Sequence, residues 1–153
     1  MVDRIQDRKL SSLNYWDILK ELHLYSQERR RERYMVIFLW KISQGLVSGY
    51  NVQFTYGGLR RGRLIVPNTV LKGAPSVVRN AREHSLGVRG ARIFNLLPDN
   101  IRTMNTEHVE LFKNHLDVFL SSIPDQPTKK GLGRPAETNS LLHQLSMLYS
   151  QTR

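Results

Sequence analysis

Carboxylates, histidines, serines and guanidinium groups are the candidates for chemistry in this chain, which has no cysteine and so no disulfide framework or thiolate zinc site. The six aspartates, Asp3, Asp7, Asp17, Asp99, Asp117 and Asp125, are never adjacent. No aromatic-X-Asp-Asp element therefore exists to hold two metal ions for phosphoryl transfer. His23, His84, His108, His115 and His143 are scattered. His108 and His115 fall two turns apart on one expected helix, but without a His-Glu-X-X-His pattern solvated or partner-capped histidine fits better than a metal site. Gly-X-Ser-X-Gly is absent, so no nucleophile elbow can be argued. Gly57-Gly58-Leu59-Arg60-Arg61-Gly62-Arg63 has the glycines of a phosphate-cradling loop but lacks the Gly-Lys-Ser/Thr ending of a P-loop. It suits a flexible basic clamp on a nucleic-acid backbone better. The expectation is no catalytic residue, no metal and no cofactor.

Charge is the more informative signal. The 153 residues carry 23 Lys and Arg against 13 Asp and Glu, a net charge of +10. Residues 1–58 hold 9 bases and 6 acids, residues 59–103 hold 9 and 2, and residues 104–153 hold 5 of each. The surplus sits mainly in the middle third, where every base except Lys72 is Arg, whose planar fork grips a phosphate with two hydrogen bonds. A basic region of this kind is the footprint expected of nucleic-acid binding; a merely solvated surface is the alternative. Candidate phosphate contacts are Arg60, Arg61, Arg63, Arg79, Arg82, Arg89 and Arg92. Tyr50, Phe54 and Tyr56, just before Arg60, are candidates for stacking on bases.

The elements that must position these groups read as helices. Residues 1–13 are a polar lead-in. Asn14 can cap Tyr15 to Leu22, with Tyr15, Ile18, Leu19 and Leu22 on one buried face. Ser26 reads as the N-cap of Gln27 to Gln44, with Gly45 in the left-handed terminal position. Arg29, Arg30, Arg31 and Arg33 crowd the positive end of that helix dipole, where cations are unfavourable, so they must reach acidic partners in the fold or phosphates. Tyr34 to Trp40, apolar on every side, reads as the centre of the core. Arg63 to Val66 and His84 to Arg89 read as short strands, and Ala91 to Leu97 as an apolar stretch closed by Pro98. Residues 68–82 give no assignment. Thr106 can cap Glu107 to Ser121, with Phe112, Leu116, Phe119, Leu120 and Ile123 as its stripe. Residues 124–136 read as a linker. A last helix, Glu137 to Tyr149, follows that linker and is expected to dock on a partner rather than on its own domain. The longest apolar run is far below the ~20 residues needed to cross a bilayer, and no secretory signal is visible.

Three stretches in order carry a resemblance. The first is Tyr15-Trp16-Asp17-Ile18-Leu19 followed by Leu22, Leu24, Ser26, Arg30, Arg31, Arg33, Lys41-Ile42 and Gly45. The second is Val88-Arg89-Gly90-Ala91-Arg92 leading to Phe94-Asn95 and Leu97-Pro98. The third is Phe112-Lys113, Leu116-Asp117 and Phe119-Leu120. Over about residues 15 to 122 the set resembles the C-terminal, post-thumb region of Jockey-type non-long-terminal-repeat retrotransposon reverse transcriptase polyproteins. Ile18, Gln27 and Met35 depart from the family pattern, which favours Arg, Leu and Asp there. The resemblance implies an RNA-directed DNA polymerase whose catalytic aspartates lie upstream of the matched part. It implies a helical post-thumb segment with basic positions at Arg30, Arg31, Arg33, Arg89 and Arg92.

The sequence thus predicts a mainly α protein, a small helical domain over residues 14–123 with room for a two-stranded β element near Leu64 and Leu86, then a linker (124–136) and a C-terminal helix (137–150). The expected function is a non-catalytic fragment of a retroelement reverse transcriptase that binds the RNA or DNA backbone. The alternative is a structural packing module that docks on an upstream polymerase or thumb domain and binds no nucleic acid. No membrane partner is expected. An intracellular location is expected, nucleus and cytoplasm not distinguished.

Overall fold

Ser26 supplies the signal from which the central helix grows: its Oγ accepts from the Arg29 amide at 3.1 Å, satisfying one of the free donors of the first turn. A computed structural model describes residues 12–55, 62–68, 72–127 and 139–151. In it α1 spans Tyr15–Glu21, α2 Gln27–Ser43 and α3 Ser76–Glu83. A π-helical turn, Leu86–Gly90, runs into α4, Ala91–Leu96. The short α5 (Asp99–Arg102), α6 (Val109–Ser121) and α7 (Leu141–Gln151) follow. The protein is mainly helical, as the periodicity predicts.

The end of α2 follows from Gly45. With φ at +73° it lets the Leu46 amide reach the Lys41 carbonyl (2.9 Å) and its own amide reach Ile42 (3.0 Å). This is the paired closure that a left-handed residue after a helix permits. The core forms where α2 crosses α4, the π turn and α6. Val36, Leu39 and Trp40 are buried against Ile93, Phe94, Phe112 and Leu116. The Trp40 and Phe112 rings stack at 4.3 Å and 8°, and the indole N–H donates to the Met104 carbonyl at 2.9 Å. Such an aromatic pair adds about 0.5–1.5 kcal/mol beyond its burial.

Several elements differ from the sequence reading. Leu64 bridges antiparallel to Phe54, not to the stretch around Leu86. Asn95 completes the pairing from α4: its Oδ1 accepts from the Leu64 amide (2.7 Å) and its Nδ2 donates to the Leu64 carbonyl (2.9 Å). An amide side chain therefore stands where a third strand would be. His84 to Arg89 is not a strand: His84 closes α3, Ser85 is an extended cap and Leu86 to Arg89 lie in the π turn, which brings Gly90 under α2. A Cβ on Gly90 would sit 2.9 Å from Leu39 Cδ1. No residue of α1 is fully buried; Tyr15 and Leu22 are exposed. Thr106 does not cap α6 directly. Its Oγ1 accepts from the His108 amide, and the helix begins at Val109. The run Tyr34 to Trp40 is not covered all round: Val36, Ile37, Leu39 and Trp40 are buried, but Tyr34 is 63% exposed.

The C-terminal helix docks on its own domain rather than on a partner as expected, because its apolar face is already covered here. Leu141 and Leu145 are buried and α7 lies against α4. Pro124 to Pro127, expected to begin a linker, are part of the fold: Asp125 accepts from the Ser26 amide (2.6 Å) and hydroxyl (2.7 Å). Among the described residues no helix is long and apolar enough to cross a membrane.

Candidate functional site

The crowded cations at the start of α2 separate into two kinds. Arg29 and Arg33 point inward, whereas Arg30 and Arg31 are exposed. The Arg29 side chain is 0% exposed. Its Nη1 donates to the Ile123 carbonyl (3.2 Å), and its Nη2 to the Pro124 carbonyl (2.9 Å) and Gln144 Oε1 (2.7 Å). The guanidinium thus lies on the free carbonyls beyond the C-terminus of α6, where positive charge is favoured. Burial pulls its pKa below the ordinary arginine value, opposed by Asp125 and Glu32. Arg33 grips Asp117 of α6 with two bonds of 2.6 Å. The hydrogen bond to Asp117 raises the Arg33 pKa against the pull of burial.

One turn further along α2, Glu32 is the hub of the network and is 1% exposed. Its Oε1 accepts from Arg89 Nη2 (2.7 Å), Arg89 Nε (3.2 Å) and Ser140 Oγ (2.8 Å). Its Oε2 accepts from the Leu141 amide at 2.6 Å, placing a carboxylate on the positive end of α7. Arg89 also donates to Glu28. Burial works against the charge on Arg89, and Glu32 with Glu28 more than offsets it, so its pKa is raised.

Of the seven predicted phosphate contacts, five lie among the described residues. Arg60 and Arg61 lie outside the described residues, as does Tyr56. Arg63 and Arg79 are exposed. Arg82 is also exposed, with its Nε donating to the Asn68 carbonyl at 3.0 Å. Arg89 is held as described, and Arg92 pairs with Glu83 at 2.5 Å. Arg89 and Arg92 share a cleft of about 620 Å³ with His84 and His143, but Glu28 and Glu83 line it too. Two guanidinium groups therefore face two carboxylates, and the cleft carries no net charge from them. Tyr50 packs edge-on against Phe38 at 5.8 Å, and Phe54 is half-buried beside its bridge to Leu64. Among the described residues no three histidines, aspartates or glutamates stand close enough to hold a metal ion.

Sequence reasoning missed Glu28, Glu32, Asp117 and Asp125 as the acceptors of this network. The available signal was the i, i+4 pair Glu28 and Glu32 within an arginine run. No family model matches the chain, and no curated protein or solved structure is found to be similar to it.

Proposed function

We propose that this chain is a non-catalytic interaction module, a helical unit that docks on another protein and uses most of its inward-facing arginines to hold itself together. The observation that carries this reading is Arg89, tied to Glu28 and to the buried Glu32. Arg89 spends its Nε and Nη2 on Glu32, Glu28 and Ser140, so a phosphate there would meet two carboxylates already on the same guanidinium, and drawing Arg89 away would leave Glu32 buried without its cation. Asp117 holds Arg33 in the same way, whereas Arg29 is held by the Ile123 and Pro124 carbonyls and Gln144, with Asp125 3.9 Å away. The resemblance to post-thumb regions of retroelement polyproteins makes a polymerase core the natural partner in this reading.

Binding to an RNA or DNA backbone is the second reading. One observation favours it: with a net charge of +10, Arg63 and Arg79 are exposed and meet no carboxylate among the described residues. Fluorescence anisotropy with a labelled single-stranded RNA, read across a salt series, separates the two. Backbone binding gives affinity that falls steeply with salt, and replacing Arg60, Arg61 and Arg63 by Ala lowers the logarithmic slope by about one per lost phosphate contact. The interaction module gives weak binding that these substitutions leave unchanged. A steep slope that the triple variant flattens would overturn the first reading.

A further inference from the structure

The exposed side of α2 carries a groove whose charge, unlike that of the Arg89 cleft, is not neutralised by its own walls. It has a volume of about 540 Å³. Tyr34, Met35 and Phe38 of α2 and Leu86 of the π turn form its apolar floor. Arg31 and Lys41 stand at its two ends and Lys113 of α6 on its side; no carboxylate lines it. Among the described residues Lys113 alone of the three has an acidic partner, Glu110 at 2.6 Å. Arg31 and Lys41 are ten residues apart on one helix, a span of about 15 Å.

We propose that this groove binds an acidic amphipathic helix of a partner protein. The proposal rests on the interaction-module reading and names the chemistry of the partner. A floor of aromatic and aliphatic side chains bounded by cations matches a helix with apolar anchors at i, i+3, i+4 and i+7 and flanking Glu or Asp. About three turns of such a helix span the distance between the two end cations. A nucleic acid fits less well, because each aromatic ring of the floor already has one neighbour against it, which restricts flat stacking of a base more than packing of an aliphatic side chain. Phe38 holds the edge contact with Tyr50, and the Arg33 guanidinium lies 5.8 Å from the centre of the Tyr34 ring while bound to Asp117.

The test uses the full chain and a fluorescein-labelled peptide about four turns long, with leucines at i, i+3, i+4 and i+7 and glutamates flanking them. The peptide should bind, and Arg31→Glu with Lys41→Glu should weaken it about tenfold or more, because two attractions at the rim become repulsions. Both positions lie at the groove's ends rather than in the core, so the melting temperature should stay within a few degrees of the parent. A peptide with lysines in place of glutamates should bind the double variant and not the parent. Equal binding to parent and variant, or no binding to the parent, overturns the proposal. A single-stranded RNA that displaces the peptide, and is itself lost on the same charge reversal, overturns it in favour of a nucleic-acid surface. If RNA and peptide both fail to bind, the groove proposal falls while the interaction-module reading stands. If RNA binds through Arg60, Arg61 and Arg63, that reading falls on its own test.

Discussion

Replacing Glu32 by Gln preserves shape and removes one charge from the hub that joins α2, the π turn and α7. Every acceptor site of Glu32 faces a donor: Arg89 and Ser140 on Oε1, the Leu141 amide on Oε2. Either orientation of the new amide therefore points its NH2 group at an N–H or O–H. Breaking a buried ion pair from one side costs about 3–5 kcal/mol. Because Glu28 still holds Arg89 from a half-exposed position, the loss should fall near the lower end, about 3 kcal/mol. That is a large fraction of the 5–15 kcal/mol typical of a domain. For a chain of this length it corresponds to a melting temperature lower by roughly 6–12 °C. Glu28→Gln, which removes only the half-exposed partner, should cost about 1 kcal/mol. Urea denaturation followed by circular dichroism measures both losses. Hydrogen exchange localises the first, since the amides of Leu141 to Leu145 should lose protection before those of α2. Equal losses for the two variants, or a Glu32→Gln loss below about 1 kcal/mol, would refute the assignment of Glu32 as the hub.

Other consequences can be measured separately. Arg29→Lys should destabilise by about 2 kcal/mol, because one ammonium cannot reach acceptors spread over Ile123, Pro124 and Gln144 as a planar fork does; full stability in urea melts would count against the capping role. Tyr25, partly buried with its hydroxyl near Asp117, has a raised pKa, from burial first and the Asp117 charge second. The folded state therefore holds that proton more tightly than the unfolded chain. Its stabilising effect is complete below about pH 10 and is lost as pH climbs through the higher folded value. Tyr25→Phe should flatten the decline in stability above pH 10, and an unchanged slope would show that another group causes it. Gly45→Ala should cost about 1 kcal/mol in thermal melts, wholly from the positive φ, since nothing lies within 4 Å of the added methyl group.

Much of the fold was legible because its signals are local. The Ser26 hydroxyl and the backbone freedom of Gly45 bound α2, and the stripe of Phe112, Leu116 and Leu120 buries as its spacing demands. Leu86 to Gly90 was not legible. Its five residues carry too short a pattern to separate strand from helix, and its form depends on Gly90 meeting Leu39. The candidate site was legible only as an inventory of arginines. Exposure of Arg31 and burial of Arg29 follow from their angular positions on α2 relative to α6, which neighbouring residues do not encode.

Residue order alone determined that this chain is strongly basic and mainly helical. Caps, helix ends and amphipathic stripes act over three or four residues, so they can be read along the chain. Tertiary structure decided what the charges do. Arg89 meets Glu32 across 57 positions and Arg29 meets Gln144 across 115. Such pairings exist only after α2 has packed against its neighbours, because an ion pair gains enough to matter only when burial has removed the competing water.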